Sequence, residues 1–262
     1  MADTYWHKQV PTKPLFPDIV WNKPEQRSKA GRLAIIGGNK LGFASVAVAY
    51  QDALQTGVGE SRVVLPDALK KTVPATMTDA IFVPTNQSGG MGKNGENQIL
   101  AAAAWADGIL LIGDSGRNSE TAILLETLLQ KYKGPATITR DAVDLLKNNV
   151  QGLMERDQTL LVVSFAQLQK IFQAVYYPKA LLFKMQLTNL VEALHKFTTT
   201  YPVAIMVLHG EQLLVAQGGE VTSTPWLEPL AIWRGSVATK AASYWLWTPD
   251  KVLEATTASL AE

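Results

Sequence analysis

The sequence predicts an α/β fold in which helices cover both faces of a mostly parallel central sheet. Short apolar runs alternate along the chain with longer amphipathic or small-residue segments, as in successive β-α units. The apolar runs are hydrophobic at nearly every position, which is typical of strands buried on both faces. Two glycine turns late in the chain, at Gly210 and at Gly218-Gly219, predict an antiparallel edge.

Composition and charge limit the classes of function. The chain has 262 residues and 47% hydrophobic content, enough for a sizeable core. Cysteine is absent, which excludes disulfides, thiolate nucleophiles and cysteine metal sites. Lys+Arg 24 against Asp+Glu 23 gives a net charge of +1, so no nucleic-acid partner is predicted. Because we find neither a signal-peptide core nor a long uncharged apolar run, we expect no membrane partner and a cytoplasmic location.

The chain begins with a polar, proline-bearing stretch. Residues 1–30 are predicted to form an extended N-terminal arm anchored by the aromatic residues Trp6, Phe16 and Trp21. Residues 31–262 are predicted to form a single domain. The prolines that favour an extended arm are Pro11, Pro14, Pro17 and Pro24.

The remaining elements follow in order from apolar runs, caps and glycines. The organising stretch is a strand at 33–36, a turn at Gly37-Gly38 and a small-residue helix at 44–56 that Gly57 ends. Helix 119–132 has Asn118 or Ser119 as a cap. The other predicted strands are 62–66, 80–84, 108–112, 136–139, 159–163, 203–208, 212–216 and a short one after Gly219. The other predicted helices are 98–106, 141–146, one from about residue 166, 181–197, 230–246 and 249–260. Glycines 89, 90, 92 and 95 predict a flexible surface loop, a candidate lid, between residues 86 and 97.

Four motifs in this order resemble the ADP/ATP-dependent NAD(P)H-hydrate dehydratase family. Gly31-Arg-Leu-Ala-Ile-Ile-Gly-Gly-Asn39, followed by Gly42 and Thr56-Gly-Val-Gly59, is similar to the family's glycine-rich first unit. Ile112-Gly-Asp-Ser-Gly-Arg117 resembles its Gly-Pro-Gly-Leu-Gly-Arg loop. Thr139-Arg-Asp-Ala-Val-Asp-Leu-Leu146 resembles its Asp-Ala-Asp-Ala-Leu-Asn-Leu-Leu segment, and Val207-Leu-His-Gly210 its Leu-Lys-Gly turn. Over roughly residues 22–247, the resemblance implies a three-layer α/β/α ribokinase-like fold and ADP or ATP with Mg²⁺ as cofactor.

The departures from the family's motifs fall on the groups that carry its chemistry. Its His-Pro-Gly-Glu segment is replaced by Val163-Ser-Phe-Ala-Gln167, its turn lysine by His209 and its first strand-five aspartate by Thr139. Its Gly-Gly-Thr-Gly-Asp helix entry is best matched by Ile232-Trp-Arg-Gly-Ser236. In ribokinase-like enzymes that entry forms an anion hole and its aspartate is the general base. The base position falls on Ser236, whose hydroxyl is no carboxylate base near neutral pH, so the catalytic residue is left unassigned.

The candidate ligand-binding residues come from these turns, and each has a structural alternative. Glycines of the first turn let a ligand approach the backbone, or they allow tight helix packing. Arg117 would bind a phosphate or ribose, or it covers surface. The helix entry would hold a phosphate, or it is a Ser-capped helix with a solvent-facing arginine. The candidates are Gly37, Gly38, Asn39, Gly42, Gly113, Asp114, Arg117, His209, Gly210, Arg234, Gly235 and Ser236.

Other polar residues also have a functional and a structural interpretation. Asp141 and Asp144 would bind magnesium through water, or they are acids placed near a helix N-terminus. His209 would contact a nucleotide, or it is structural. His7 and His195 have no partner at metal spacing, so no metal-binding residue is predicted.

Three functional hypotheses follow. The first is a diverged NAD(P)H-hydrate dehydratase-like protein, weakly active or inactive, that retains nucleotide or dinucleotide binding. The second is an active ATP/ADP-dependent dehydratase or small-molecule kinase that uses another acid, such as Asp114 or Asp141. The third is a non-catalytic interaction subunit, in which an aromatic cluster contacts a partner or a second copy in a homo-oligomer. That cluster is otherwise core or a stacking surface for a base, and consists of Trp226, Trp233, Tyr244, Trp245 and Trp247.

Overall fold

A computed structural model describes residues 4–10 and 12–261. The strands in this part of the chain are β1 (Trp6–Lys8), β2 (Arg32–Gly37), β3 (Glu60–Pro66), β4 (Ala80–Val83), β5 (Gly108–Gly113), β6 (Ala136–Thr139), β7 (Thr159–Val163), β8 (Ala204–His209), β9 (Gln212–Gln217) and β10 (Glu220–Pro225). The α-helices are α1 (Pro17–Trp21), α2 (Ala44–Thr56), α3 (Glu96–Trp105), α4 (Ser119–Lys131), α5 (Asp141–Leu145), α6 (Val150–Met154), α7 (Phe165–Ala174), α8 (Leu187–Thr200), α9 (Pro229–Arg234), α10 (Ser236–Trp247) and α11 (Val252–Ala258).

One sheet contains these strands in the order β1-β10-β9-β8-β7-β6-β5-β2-β3-β4. The pairs from β8 to β4 are parallel, whereas β9 is antiparallel to both β8 and β10. The predicted mostly parallel sheet with an antiparallel edge region is therefore confirmed. The antiparallel strands do not form the outermost edge, however, because β1 pairs in parallel with β10.

Helices cover both faces of the sheet because the strands are apolar on both sides. In β2, Leu33 and Ile35 face one hydrophobic layer, and Ala34 and Ile36 face the other. Helices α3 to α8 pack on the second of these faces, and α1, α2, α10 and α11 pack on the first. The predicted three-layer α/β/α architecture is confirmed.

The N-terminal stretch is more structured than an extended arm. Trp6 lies in β1 and donates its indole N–H to the Ser223 hydroxyl at 2.9 Å, and Phe16 packs on the core. Trp21 is not an anchor, since 85% of its surface is exposed. Pro11 lies outside the described residues.

The segment between residues 86 and 97 is buried in its middle and exposed at residues 87, 88, 93, 94 and 97. Met91 is fully buried in the core, and the Asn86 side chain accepts the N–H groups of Ser88 and Gly90 and donates to the Met91 carbonyl. The glycines here allow a packed turn against α4. That this segment is flexible or acts as a lid stays a prediction.

Two predicted helices have different bounds. The helix predicted from residue 181 begins at Leu187, because the Leu181 carbonyl is taken by the Gln169 side chain at 2.8 Å instead of a helical N–H. The helix predicted over 230–246 is broken at Gly235, where φ is +90° and α9 ends. Within residues 4–10 and 12–261, no helix combines the length and the apolar character that a membrane crossing needs.

Candidate functional site

A cleft of about 1540 Å³ opens beside the carboxyl ends of β2, β5, β6, β7 and β8. The sheet order places β3 and β4 on one side of β2, and β5 to β8 on the other. The strand order therefore switches direction between β2 and β5, and ligands of open α/β sheets bind at such a switch point. We take this cleft as the candidate site.

The cleft brings together half of the predicted site residues. Those that line it are Asn39, Gly42, Asp114, Arg117, His209 and Gly210. Those that do not line it are Gly37, Gly38, Gly113, Arg234, Gly235 and Ser236. Gly37 and Gly113, the last residues of β2 and β5, are in the second group, so a place at a strand end does not by itself bring a residue into the cleft.

The glycines of the first turn serve close packing. A Cβ atom at Gly37 would lie 2.3 Å from the Gly113 carbonyl oxygen. Gly38 has a φ of +88°, and a Cβ atom there would lie 2.8 Å from the Leu65 side chain. Gly37 and Gly38 therefore allow tight packing, which was the structural alternative to a role in ligand binding. Next to them, the Asn39 side chain accepts the Leu41 N–H at 3.1 Å and so fixes the loop that borders the cleft.

An ion pair between Asp114 and Arg140 forms the floor of the cleft. Arg140 Nη2 donates to Asp114 Oδ1 at 2.6 Å, and Nη1 donates to the Trp233 carbonyl. The other oxygen of Asp114 accepts the Ser45 N–H at 2.8 Å, which satisfies one free donor at the start of α2. The pair thus links the ends of β5 and β6 to α2 and to the junction of α9 and α10.

The two other acids of the cleft are also bonded within the protein. Asp141 lies in the first turn of α5 and accepts the N–H groups of Asp114 at 2.8 Å and Ser115 at 3.0 Å. Asp144 accepts from Gln167 Nε2 at 2.9 Å, and its second oxygen lies 3.5 Å from Lys170 Nζ. All six carboxylate oxygens of Asp114, Asp141 and Asp144 therefore have a protein partner.

Among the cations that line the cleft, Arg117 is the one that no acid of the described residues pairs with. Arg117 is exposed at the start of the segment before α4. No acid of the described residues lies within salt-bridge distance of it, whereas Arg140 and Lys170 are paired with Asp114 and Asp144. A guanidinium in this position is suited to bind a carboxylate or phosphate through two parallel hydrogen bonds.

The opposite wall of the cleft is aromatic and apolar. His209 donates Nε2–H to the Met185 carbonyl at 2.9 Å and lies 5.1 Å from the Phe165 ring, so its side chain is held structurally at the cleft wall. Phe183 packs edge-on against Phe165 at 5.7 Å and leaves 77% of its surface exposed. Trp233, on α9, lines the same cleft with 64% of its surface exposed. Of the predicted aromatic cluster, Tyr244 and Trp245 are core residues instead.

Only the first half of the helix entry that the resemblance points to reaches the cleft: Ile232 and Trp233 line it, whereas Arg234, Gly235 and Ser236 do not. The cap of α10 is Gly235, which is buried against Ile112, and no side chain caps the helix. The alternative of a Ser-capped helix is therefore wrong, because Ser236 is already the first helical residue. Arg234 is exposed in the last turn of α9, where a cation complements the helix dipole.

Sequence reasoning did not find Arg140 or the cap of α7. Arg140 has a φ of +58°, which few non-glycine residues adopt, and no sequence pattern announces it. Ser164 and Gln167 form a capping box, and Gln167 Nε2 also donates to the Arg140 carbonyl at 2.8 Å. The Ser-x-x-Gln spacing is a recognised signature of a helix start and could have revealed this cap.

The other histidines have contacts outside the cleft. His7 pairs with Glu220 at 2.7 Å on the surface, and His195 stacks on Tyr5 with ring centroids 3.8 Å apart. Among residues 4–10 and 12–261, no group of three or more histidine or acidic side chains is arranged to hold a metal ion.

Comparisons with solved structures identify the fold. A ribokinase-like superfamily protein from Enterococcus faecalis V583 is 15% identical, with a TM-score of 0.72 over 100% of this chain and 87% of that chain. The Bacillus subtilis ADP/ATP-dependent NAD(P)H-hydrate dehydratase, co-crystallised with ATP/Mg²⁺ and soaked with CoA, is 12% identical, with a TM-score of 0.64 over 94% of this chain and 85% of that chain. A hydroxyethylthiazole kinase protein from Pyrococcus horikoshii OT3 is 11% identical, with a TM-score of 0.62 over 93% and 82%.

At these identities the likeness concerns the fold alone, which is ribokinase-like. No family model matches the chain, and no curated protein matches it.

Proposed function

We propose that this chain is a diverged NAD(P)H-hydrate dehydratase-like protein that binds a small-molecule or nucleotide ligand and has little or no turnover. Binding is supported by a large cleft at the switch point of the sheet, with an unpaired arginine on one side and aromatic rings on the other. The loss of turnover is supported by the state of every acid that could act on such a ligand.

The observation that carries the proposal is that each of the three acids lining the cleft is already held by protein donors. The base position of the resemblance is Ser236, which the cleft does not reach. Of the acids that could replace it, Asp114 and Asp141 accept a hydrogen bond at both oxygens, and Asp144 accepts one from Gln167 and pairs with Lys170. A general base needs an oxygen within hydrogen-bond reach of the proton it abstracts. This weighs against an active enzyme that uses Asp114 or Asp141.

The same contacts bear on whether these acids could bind magnesium. Mg²⁺ is held in proteins by one or two carboxylates together with water and substrate phosphates. Asp141 uses both oxygens to fix the Asp114 and Ser115 backbone, and Asp144 faces the Lys170 ammonium group. These residues do not fit a magnesium site as they stand, so we assign Mg²⁺ no step in this protein.

Titration calorimetry tests the binding part of the proposal. AMP, ADP, ATP, NADH and hydrated NADH are each titrated into the parent protein and into Arg117→Gln. We expect saturable binding of at least one ligand, and an approximately tenfold loss in Arg117→Gln, because a charge-assisted hydrogen bond contributes about 1.5–3 kcal/mol. Lys131→Gln, which removes an exposed surface cation paired with Glu96, is the matched control. Absence of binding to all five ligands would refute a nucleotide- or dinucleotide-binding cleft.

A second candidate function is a non-catalytic interaction subunit. Leu227, Leu230 and Trp233 are exposed by 77%, 63% and 64% around α9, an unusual concentration of apolar surface in one segment. Light scattering across protein concentrations, with and without nucleotide, distinguishes this candidate. A protein that stays monomeric throughout would count against it.

A further inference from the structure

The cations that line the cleft are paired with acids, except for one. Its lining includes three cations, Arg117, Arg140 and Lys170, and three acids, Asp114, Asp141 and Asp144. Arg140 is paired with Asp114 at 2.6 Å, and Lys170 lies 3.5 Å from Asp144. Asp141 accepts two backbone N–H groups. Arg117 therefore remains as the cation of the lining that is available to a ligand.

Arg140 stands between the cleft and the amino end of α10. Its guanidinium donates to the Trp233 carbonyl, two residues before Gly235. Its Cδ atom lies 3.6 Å from the position that a Cβ atom at Gly235 would occupy, and its Cβ lies 3.2 Å from the corresponding position at Gly113. Residues 234–238 are absent from the cleft lining accordingly. The Arg140 guanidinium thus lies between Asp114, at the end of β5, and the Trp233 carbonyl, just before α10, where Ile112 also packs on Gly235.

The pair is maintained against the backbone preferences of both residues. Asp114 has a φ of +56° and Arg140 a φ of +58°, in the left-handed region that favours glycine. Such conformations cost on the order of 1–3 kcal/mol each and persist only where the surroundings impose them. Both residues directly follow adjacent strands, β5 and β6, and their backbones are held by Asp141, which accepts the Asp114 N–H, and by Gln167, which donates to the Arg140 carbonyl.

We infer that the Asp114–Arg140 pair determines the specificity of the cleft by closing it off from the head of α10. This inference rests on the proposed ligand-binding function and also names the class of ligand. The cleft selects a ligand with one anionic group, a carboxylate or a single phosphate, bound by Arg117. The body of that ligand is apolar or aromatic and lies against Leu41, Phe183 and Trp233, which line the cleft and are mostly exposed. Additional phosphates gain no further binding group.

Phosphate number is the variable that tests this inference. The parent protein is titrated with AMP, ADP and ATP, with and without Mg²⁺, and we expect dissociation constants within about threefold of one another. In the double variant Asp114→Gly with Arg140→Gly, ATP should bind about tenfold more tightly than AMP, because an opened helix N-terminus attracts phosphate. The double variant conserves net charge, and glycine accepts both left-handed conformations.

A matched control separates shape from charge. Asp114→Asn with Arg140→Gln removes the charges but keeps side chains of similar size between the cleft and the head of α10. The affinities for AMP, ADP and ATP should therefore stay independent of phosphate number. Aminobenzoate, which carries a carboxylate, and phenyl phosphate, which carries a single phosphate, serve as probes for the two kinds of anionic group. Binding of either, weakened about tenfold in Arg117→Gln, supports the assigned ligand class.

Each outcome decides the inference or the proposed function separately. A parent protein that binds ATP tenfold more tightly than AMP overturns the inference without any variant. So does a folded glycine double variant whose affinities stay flat, with folding checked by its melting temperature. If the parent binds no nucleotide or small anion, the proposed function fails. The pair is then tested by inorganic pyrophosphate, which should bind the glycine double variant at least about tenfold more tightly than the parent.

Discussion

The residues that border the cleft owe their positions to a few backbone conformations that only particular side chains tolerate. Gly38, with a φ of +88°, turns the chain from β2 toward α2 in a space closed by Leu65 and Phe43. Gly42, four residues later, has no atom within 4 Å of the position of an added Cβ. Two glycines of one motif thus have different roles, and only the first is required by packing.

Substitution of these two glycines separates the roles. Gly38→Val should lower the free energy of unfolding by about 1–3 kcal/mol or more, because a branched side chain is strained at positive φ and meets Leu65 at 2.8 Å. Gly42→Ala should change stability by less than about 0.5 kcal/mol, as most surface substitutions do. Urea denaturation measures both. If Gly38→Val is as stable as the parent, the organising role of this turn is wrong.

Burial of a single tyrosine predicts how stability responds to alkaline pH. Burial raises the pKa of Tyr132 to about 12, against about 10 in an unfolded chain. The folded state therefore resists formation of the Tyr132 phenolate. The contribution of Tyr132 to the free energy of unfolding is fully present below about pH 10 and is lost as the pH rises from about 10 to 12.

The variant Tyr132→Phe should show a smaller decline in the free energy of unfolding over that pH range. Urea denaturation at a series of pH values gives the two slopes. Tyr176→Phe is the control, since Tyr176 is 92% exposed. Equal slopes for the parent and Tyr132→Phe would show that Tyr132 does not resist ionisation in the folded state.

At the scale of elements, the least expected contact is the one that covers the sheet edge. Without β1, strand β10 would present its unpaired backbone groups to solvent, and such edges pair with other chains. Gln9 extends the contact, because its N–H donates to the Ser223 carbonyl at 2.8 Å and its buried side chain donates to the Thr224 hydroxyl at 3.2 Å. The sequence alone does not reveal β1, since a three-residue strand has no detectable period.

Removal of residues 1–10 should therefore promote self-association. We expect light scattering to show dimers or larger species at concentrations where the full chain is unchanged, because β10 becomes a free edge. His7→Ala, which removes only an exposed ion pair with Glu220, should behave like the parent. A truncated chain with the solution mass of a monomer at all concentrations would contradict this role for β1.

The elements differ in how far sequence could locate them. Helix α2 has the predicted bounds, since Gly57 in a left-handed conformation ends it as its sequence indicates. Helix α8 begins six residues later than predicted, because the apolar spacing continues through Phe183 while the Leu181 carbonyl bonds to a side chain. Local patterns predict local structure well, and they fail where a distant residue such as Gln169 determines the backbone.

At the scale of the whole molecule, the strand order decides where function can lie. The switch between β2 and β5 brings Asn39 and Asp114 to one cleft, and the parallel run to β8 adds His209. Sequence order and strand ends were sufficient to predict these three. The Asp114–Arg140 contact was not predictable, because it joins residues 26 positions apart through two left-handed backbone conformations.

The state of the site also explains why restoring one group should not restore chemistry. Ser236→Asp would place a carboxylate at the start of α10, behind Arg140 and outside the cleft. A placed base contributes on the order of a hundred- to ten-thousand-fold, and an anion-hole donor about a hundred- to a thousand-fold. Groups that act together do not recover their joint effect singly.

The most direct test of the central claim, binding without efficient chemistry, is the rate of dehydration of hydrated NADH with ADP or ATP and Mg²⁺. It is measured on the parent and on Ser236→Asp at saturating ligand, by the return of NADH absorbance. We predict turnover well below about one per second for both, against ordinary enzyme rates of about 1–1,000 per second. Turnover above one per second by the parent, or family-like turnover by Ser236→Asp alone, would contradict the claim that the catalytic site is dismantled.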